Sequence, residues 1–322
     1  MTQNVPTDVM NQAILSELTR ENSNNIEKTA QASNEYIRLG LREDSFAMKI
    51  LPPEQATDDM LDRGMQEGLS ITIELEPDSP GAKFVPFQTV PDAEYIESTN
   101  FRIPFARLLT PKFQKDIDEL RTTRMDIRKI LTDNALKDAH TEYDRKFIEL
   151  CYSIVNDCDG PGLPNHQTGK VQLMEFEDGL NRRTFAEARN MLPRGNKEGK
   201  YRLRNDLCLM NEITAGELLT FGRDEVGGDL SQTFFTDGLT IDKFMGVKVL
   251  FTIKDDLIPD GYVFFFAAPK FLGRAYYLTD WTMYMKKEAY FIEMFSYWLG
   301  GVGIGNVAGV ALAKFNCPKK QS

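Results

Sequence analysis

The sequence predicts an α+β chain made of two subdomains with two long projections. Two strand-period runs bracket a turn cluster, one helical period persists from Phe113 to Ile154, and the second half holds continuous apolar runs between turn signals. At 322 residues the chain exceeds a single minimal core, since domains commonly span roughly 100–200 residues. Its hydrophobic share of 42% and charged share of 27% suit a globular protein. No run reaches the roughly 20 apolar residues of a bilayer span, so no membrane partner is expected.

Residues 1 to about 45 are rich in Asn, Gln, Glu, Ser and Thr, with apolar groupings at Val9, Met10, Ala13, Ile14 and Leu18 and again at Ile26, Tyr36 and Ile37. Short amphipathic helices fit that spacing, but neither group offers enough apolar surface to hold a large core, so the arm is expected to dock elsewhere. The opening MTQNVPTDVMNQ has no basic n-region or apolar h-region. Synthesis in the cytoplasm without a signal peptide is expected, and with Met1 present no prodomain is expected to have been removed.

Leu69, Ile71, Ile73 and Leu75 alternate with Ser70, Thr72 and Glu74, the period of a strand with one buried face. Pro77-Asp78-Ser79-Pro80-Gly81 then turns the chain, and Phe101, Ile103 and Phe105 alternate with Arg102, Pro104 and Ala106 on the return. Pro104 restricts that strand to an edge. An isolated two-stranded hairpin is marginal in water, so this one is expected to lie on a third surface.

Thr110-Pro111 reads as a helix start, a threonine cap followed by proline at the first helical position. Phe113, Ile117 and Leu120, then Ile127, Ile130, Leu131, Leu136, Tyr143, Phe147, Leu150, Cys151 and Ile154, keep a three-and-four spacing. The expectation is a break near Thr122-Thr123 and a main helix from about Asp126 to Asn156, ended by Gly160-Pro161-Gly162. Residues 182–204 form a basic cluster, Arg182, Arg183, Arg189, Arg194, Lys197, Lys200, Arg202 and Arg204, where a solvated face or intersubunit ion pairs outrank nucleic-acid contact because only Phe185 and Tyr201 could stack. Beyond it, Leu207–Leu209 reads as a strand, Ala215–Phe221 as a helix and Gly222–Gln232 as a loop. Val247–Phe251 and Tyr262–Phe266 read as strands buried on both faces, and the tail 290–315 alternates imperfectly.

No catalytic, cofactor or metal site is expected. Gly303-Ile304-Gly305-Asn306-Val307-Ala308 matches the dinucleotide fingerprint G-x-G-x-x-A, but too little chain follows for the strand-helix-strand unit and distal acid it requires; close packing in strands or a turn is the reading. His140-Thr141-Glu142 lacks the P-C-x-x-C of zinc deaminases and is taken as helix-surface polarity. Two histidines cannot make a histidine-rich metal site, and Asp224-Glu225 and Asp255-Asp256 sit in turn-like settings where solvated carboxylates are the rule. Cys151, Cys158, Cys208 and Cys317 are too scattered for a disulfide framework, so reduced, mostly buried thiols are expected.

The succession of arm, hairpin, long helix and glycine-rich apolar tail, with the phrases Gly246-Val247-Lys248-Val249, Ile258-Pro259-Asp260-Gly261 and Pro269-Lys270-Phe271-Leu272-Gly273, resembles the major capsid protein of tailed DNA phages, the Hong Kong 97-type fold. That resemblance spans nearly the whole chain and implies five segments: 1–67 as N-terminal arm and connector, 68–107 as extended hairpin loop, 108–180 as peripheral domain with the spine helix, 181–285 as axial domain, and 286–322 as strands returning to the peripheral domain. It further implies a homo-oligomer of pentamers and hexamers in an icosahedral virion shell assembled in the host cytoplasm. Portal, scaffolding and decoration proteins are the implied partners, together with packaged double-stranded DNA held by weak non-specific contact. The net charge of -10 agrees with a wall that lets DNA slide. The expected intersubunit residues are Met10, Ile14, Tyr36, Ile71, Ile73, Lys83, Phe84, Phe87, Arg102, Phe105, Arg182, Arg183 and Asp229, with the loop from Arg223 to Thr236 near the capsomer centre and Lys83 near the hairpin tip, where some members crosslink. Two alternatives stand beside it, an encapsulin-type compartment shell and a soluble oligomeric enzyme of mixed fold.

Overall fold

The computed structural model describes residues 45–62, 68–75, 84, 99–116, 127–197, 200–218, 243–288 and 290–316. Apolar runs without polar alternation make strands that bury both faces, as Tyr262–Ala267 does within a six-stranded sheet, whereas Lys248 leaves Val247–Thr252 exposed at that position, against expectation. The order of that sheet is β6 (Leu173–Phe176), β13 (Val310–Phe315), β10 (Tyr262–Ala267), β7 (Asn205–Asn211), β9 (Val247–Thr252) and β8 (Lys243–Phe244). β13 runs parallel to β6 and β7 parallel to β9, and the other neighbours are antiparallel.

Alternation divides each strand between two cores. Val263 and Phe265 of β10, with Cys208 and Met210 of β7, face helices α3 (Arg182–Arg189) and α4 (Glu212–Leu218), where Phe185, Ala188, Ala215 and Leu218 meet them. Phe264, Phe266, Leu207 and Leu209 face the other way, onto α2 (Ile127–Asn156) and α1 (Phe46–Ile50). The ring of Phe185 lies 5.7 Å from Phe265, and that of Phe147 lies 5.7 Å from Phe266. A reciprocal cap between Asn181 and Thr184 starts α3.

Helix α2 covers 30 described residues, about 45 Å at 1.5 Å per residue, and ends at Asn156 as the sequence predicts. Ala139, Tyr143, Phe147, Cys151 and Val155 recur every four residues and are all buried. The same core takes in one face of the second sheet, ordered β1 (Pro53–Gln55), β11 (Arg274–Glu288), β12 (Phe291–Gly303) and β4 (Ala106–Leu109), with β5 (Phe113–Asp116) also on β12. Trp281, Met283 and Met285 of β11, and Ile292, Met294 and Trp298 of β12, point inward, and Trp298 meets Tyr143 edge-on at 5.4 Å.

Several expectations are corrected. Thr110-Pro111 does not open a helix: residues 113–116 pair with β12, and the Thr110 hydroxyl accepts from the backbone N–H of Ser296 at 2.8 Å instead of capping. A local capping signal lost to the unsatisfied backbone of a neighbouring strand, and Pro111 falls in the gap between β4 and β5, where no ladder donor is needed. His140 is not surface polarity, for it is 2% exposed and belongs to the buried side of α2. Apart from these corrections, the six-stranded sheet draws strands from three of the five expected segments, 108–180, 181–285 and 286–322. Position 285/286 falls inside β11, and β13 is a central strand between β6 and β10. The break at Thr122-Thr123 and the end of the Ala215–Phe221 helix lie outside the described residues.

Candidate assembly surfaces

The hairpin forms with the expected strands and polarity: β2 (Ser70–Glu74) pairs antiparallel with β3 (Asn100–Pro104), Ile71 opposite Ile103. The pair is a two-stranded sheet of its own, resting face-on against β12 rather than hydrogen-bonded to it. What permits the close approach is the glycine run of the tail. A Cβ on Gly303 would lie 2.6 Å from Ile103 Cγ1, one on Gly301 2.5 Å from the Pro104 carbonyl oxygen, and one on Gly305 would collide with the Phe101 ring. The fingerprint-like glycines therefore serve backbone packing, as expected of them.

Ile71 is buried against Ala56, Ile103 and Tyr276 of its own chain, while Ile73 and Phe105 are half-buried at the edge of that cluster. Arg102 donates from Nε to the Ser70 hydroxyl at 2.8 Å, which in turn donates to Asp62 at 2.8 Å. Those hydrogen bonds, from Ser70 first and also from Thr72, hold the Asp62 carboxyl below the usual carboxylate range. Farther out, Phe84 is fully exposed. Met10, Ile14, Tyr36, Lys83, Phe87, Asp229 and the loop 223–236 lie outside the described residues.

At the root of the arm, Asp144 of α2 is completely buried. Its Oδ1 accepts from the Ser45 hydroxyl at 2.6 Å and the Ala47 N–H at 3.0 Å, and its Oδ2 pairs with Lys254 Nζ at 2.7 Å. Lys254 also sits 5.6 Å above the Phe46 ring. One carboxylate thus ties the end of the arm, the middle of the long helix and the turn after β9. Nothing in the local sequence around Asp144 signalled this, because its partners are 99 and 110 positions away.

The outward face of the second sheet carries an aromatic stripe that the sequence reading missed. Tyr284 stands opposite Phe295, and Tyr297 opposite Leu109. The ring centroids of Tyr284–Phe295 and Phe295–Tyr297 are 5.1 and 6.4 Å apart. Tyr284, Phe291 and Leu109 remain about half exposed. The strand alternation of Tyr284 with Met283 and Met285 was the available signal. Beside the stripe, hydrogen bonds from Lys112 and Gln114 hold the Glu293 carboxyl below its usual range. Of the basic cluster, Arg182 and Arg183 are exposed on α3, Arg183 reaching Glu187 at 3.4 Å.

Burial pushes the thiols of Cys151 and Cys208 up, and both are free, as is the half-buried Cys158. Among the described residues no His, Cys, Asp and Glu side chains gather as a metal site, and no helix is long and apolar enough to cross a membrane.

No family model matches the sequence, and no curated protein matches it. Solved structures do. The capsid of the native GTA particle matches over 84% of this chain and 89% of its own, at TM-score 0.55 and 13% identity. The mature capsid of bacteriophage PhiM1 matches over 85% and 88%, at 0.54 and 11%, and the virus-like particle from Pyrococcus furiosus over 89% and 99%, at 0.51 and 13%. What these chains share with this one is the fold: the α+β Hong Kong 97-type arrangement expected from the order of its elements.

Proposed function

We propose that the chain is the major capsid protein of a tailed phage, assembling as pentamers and hexamers into an icosahedral virion shell around double-stranded DNA, with no catalytic role. The observation that carries this reading is the shared fold over at least 84% of the chain with capsid subunits. Shell function on this reading is geometry plus interface energy. Specific contacts bury about 1,600 Å² in total, and repetition by symmetry multiplies modest contacts.

The hairpin supports the same reading physically. Its base is seated on its own subunit, yet Leu69 stays 45% exposed and Phe84 fully so, which leaves apolar surface for a neighbouring copy. The arm with Met10, Ile14 and Tyr36, and the tip with Lys83, Phe84 and Phe87, are the proposed crossing elements. Ile73, Arg102 and Phe105 lie at their root, and Arg182, Arg183 and Asp229 are the remaining proposed contacts. The aromatic stripe of Tyr284, Phe295 and Tyr297 offers a receiving face. Portal, scaffolding and decoration proteins would meet the assembled shell, and DNA would touch its inside weakly.

Electron microscopy of the expressed protein tests the proposal. Closed shells are expected, and small discrete oligomers would defeat it. DNA inside purified particles agrees with the phage reading, whereas a co-purifying enzyme would replace it with a cargo compartment. Deleting residues 1–44, which spares Ser45 and its bond to Asp144, or replacing 77–86 with a short turn, should leave a soluble folded subunit that closes no shells.

A further inference from the structure

Runs of cations are commonly solvated faces, so the decisive matter is how this one is held. Arg194, Lys197, Arg202 and Arg204 are exposed, and among the described residues none of the four has a carboxylate partner. The loop presenting them is braced from inside. Lys170, 2% exposed, donates its ammonium to the carbonyl oxygens of Leu192 at 2.5 Å and Tyr201 at 3.2 Å. Asn196 donates from Nδ2 to the Thr168 carbonyl at 3.3 Å and accepts at Oδ1 from the Lys200 N–H at 2.9 Å, while Leu203 N–H closes onto the Leu192 carbonyl at 3.2 Å. Tyr201 takes a left-handed backbone, φ 58°, which a non-glycine residue adopts only when its surroundings impose it.

Burying an ammonium without a carboxylate is unfavourable, and burial lowers the Lys170 pKa to about 8. A merely solvated face would not require that brace. The charge distribution indicates what these cations meet. Residues 182–204 hold eight cations and two acids, a local +6 in a chain of -10, so the remainder carries -16. Stacked nucleic acid is disfavoured, because Phe185 is fully buried and Tyr201 alone is left to stack.

We propose that the braced basic segments, Arg194–Lys197 and Lys200–Arg204, dock on an acidic surface of a second copy of this chain, with Lys170 as their positioning residue. The inference rests on the shell reading above. A basic patch meeting an acidic one on the next copy is a head-to-tail contact, the kind that closes into rings. Complementary charge steers and registers it.

The test compares the full-length chain with Arg194→Glu/Arg202→Glu/Arg204→Glu by sedimentation over a concentration series at ~50 and ~500 mM NaCl, with a duplex DNA oligonucleotide titrated separately. Wild-type association should weaken roughly tenfold at the higher salt, and the variant should fail to associate at low salt while melting within about 2 °C of wild type. The glutamine triple variant, which keeps volume and polarity, should fall between them and serves as the readout if the glutamates impair folding. Lys170→Met should speed hydrogen exchange across 192–204 and weaken association without removing a surface charge. Association unchanged in both triple variants overturns the proposal, as does a loss confined to duplex binding. Microscopy of the same samples separates the two readings. Salt-dependent association without shells rejects the capsid proposal alone, and shells unaltered by the triple substitutions reject the docking proposal alone.

Discussion

The six-stranded sheet and the β2–β3 hairpin bury themselves in opposite ways. In the sheet, successive residues of β10 feed two separate cores, so Val263, Phe264, Phe265 and Phe266 are all inaccessible. In the hairpin only one face is covered. Ile71 and Ile103 are buried, Ile73 is half-buried, Leu69 is 45% exposed, and the seat beneath is glycine backbone rather than interdigitated side chains. The sheet is complete within one chain. Among its described residues the hairpin is held at its root on one face only, too little for a two-stranded ribbon to be stable alone.

That contrast can be broken or sharpened by substitution. Phe266→Ala opens a cavity between the sheet and α2 and should cost about 3–5 kcal/mol in denaturant unfolding; a cost below about 1 kcal/mol would show that the sheet is not the rigid partner. Asp144→Ala strands Lys254 and releases Ser45 and Ala47. Breaking a buried pair costs about 3–5 kcal/mol, and the partial exposure of Lys254 places this one at the lower end. The double variant Asp144→Leu/Lys254→Met should recover most of it, and hydrogen exchange at 45–51 should report the arm root loosening in the single variant only. Gly303→Val pushes against Ile103 and should cost about 1–3 kcal/mol as overpacking, with faster exchange at 100–104 and little change in the six-stranded sheet.

The smallest effect is a pH dependence. Lys170 has a folded pKa lowered from 10.5 to about 8, so between those values the unfolded chain binds more protons and stability rises with pH. The penalty is fully present below about pH 8 and fades towards 10.5. Thermal melts of wild type and Lys170→Met across that range should therefore converge or cross, and parallel curves would exclude a buried ammonium.

Much of the fold was legible because its signals were periodic and local. Alternation over 69–75 and 101–105, the three-and-four spacing from Ile127, and the apolar runs 247–251 and 262–266 each gave the right element. The longest strand, Arg274–Glu288, was missed even though Trp281, Met283 and Met285 alternate with Thr282, Tyr284 and Lys286. Its outward aromatics blur the polar half of the pattern. Thr110-Pro111 failed for a different reason: a correct capping motif was overruled by β12, whose backbone had hydrogen bonds to fill.

By itself the sequence determined the helix that ends at Asn156, the two hairpin strands and the strands at 247–251 and 262–266, since periodicity and residue type act over a few positions. Tertiary structure alone decided the rest: β13 entering between β6 and β10, glycines 301–305 seating the hairpin, Asp144 meeting Ser45 and Lys254, and Lys170 bracing a loop of cations. Each joins residues tens to hundreds of positions apart. Contacts at that range are selected by packing density and by the need to satisfy buried polar groups, neither of which leaves a periodic trace along the chain.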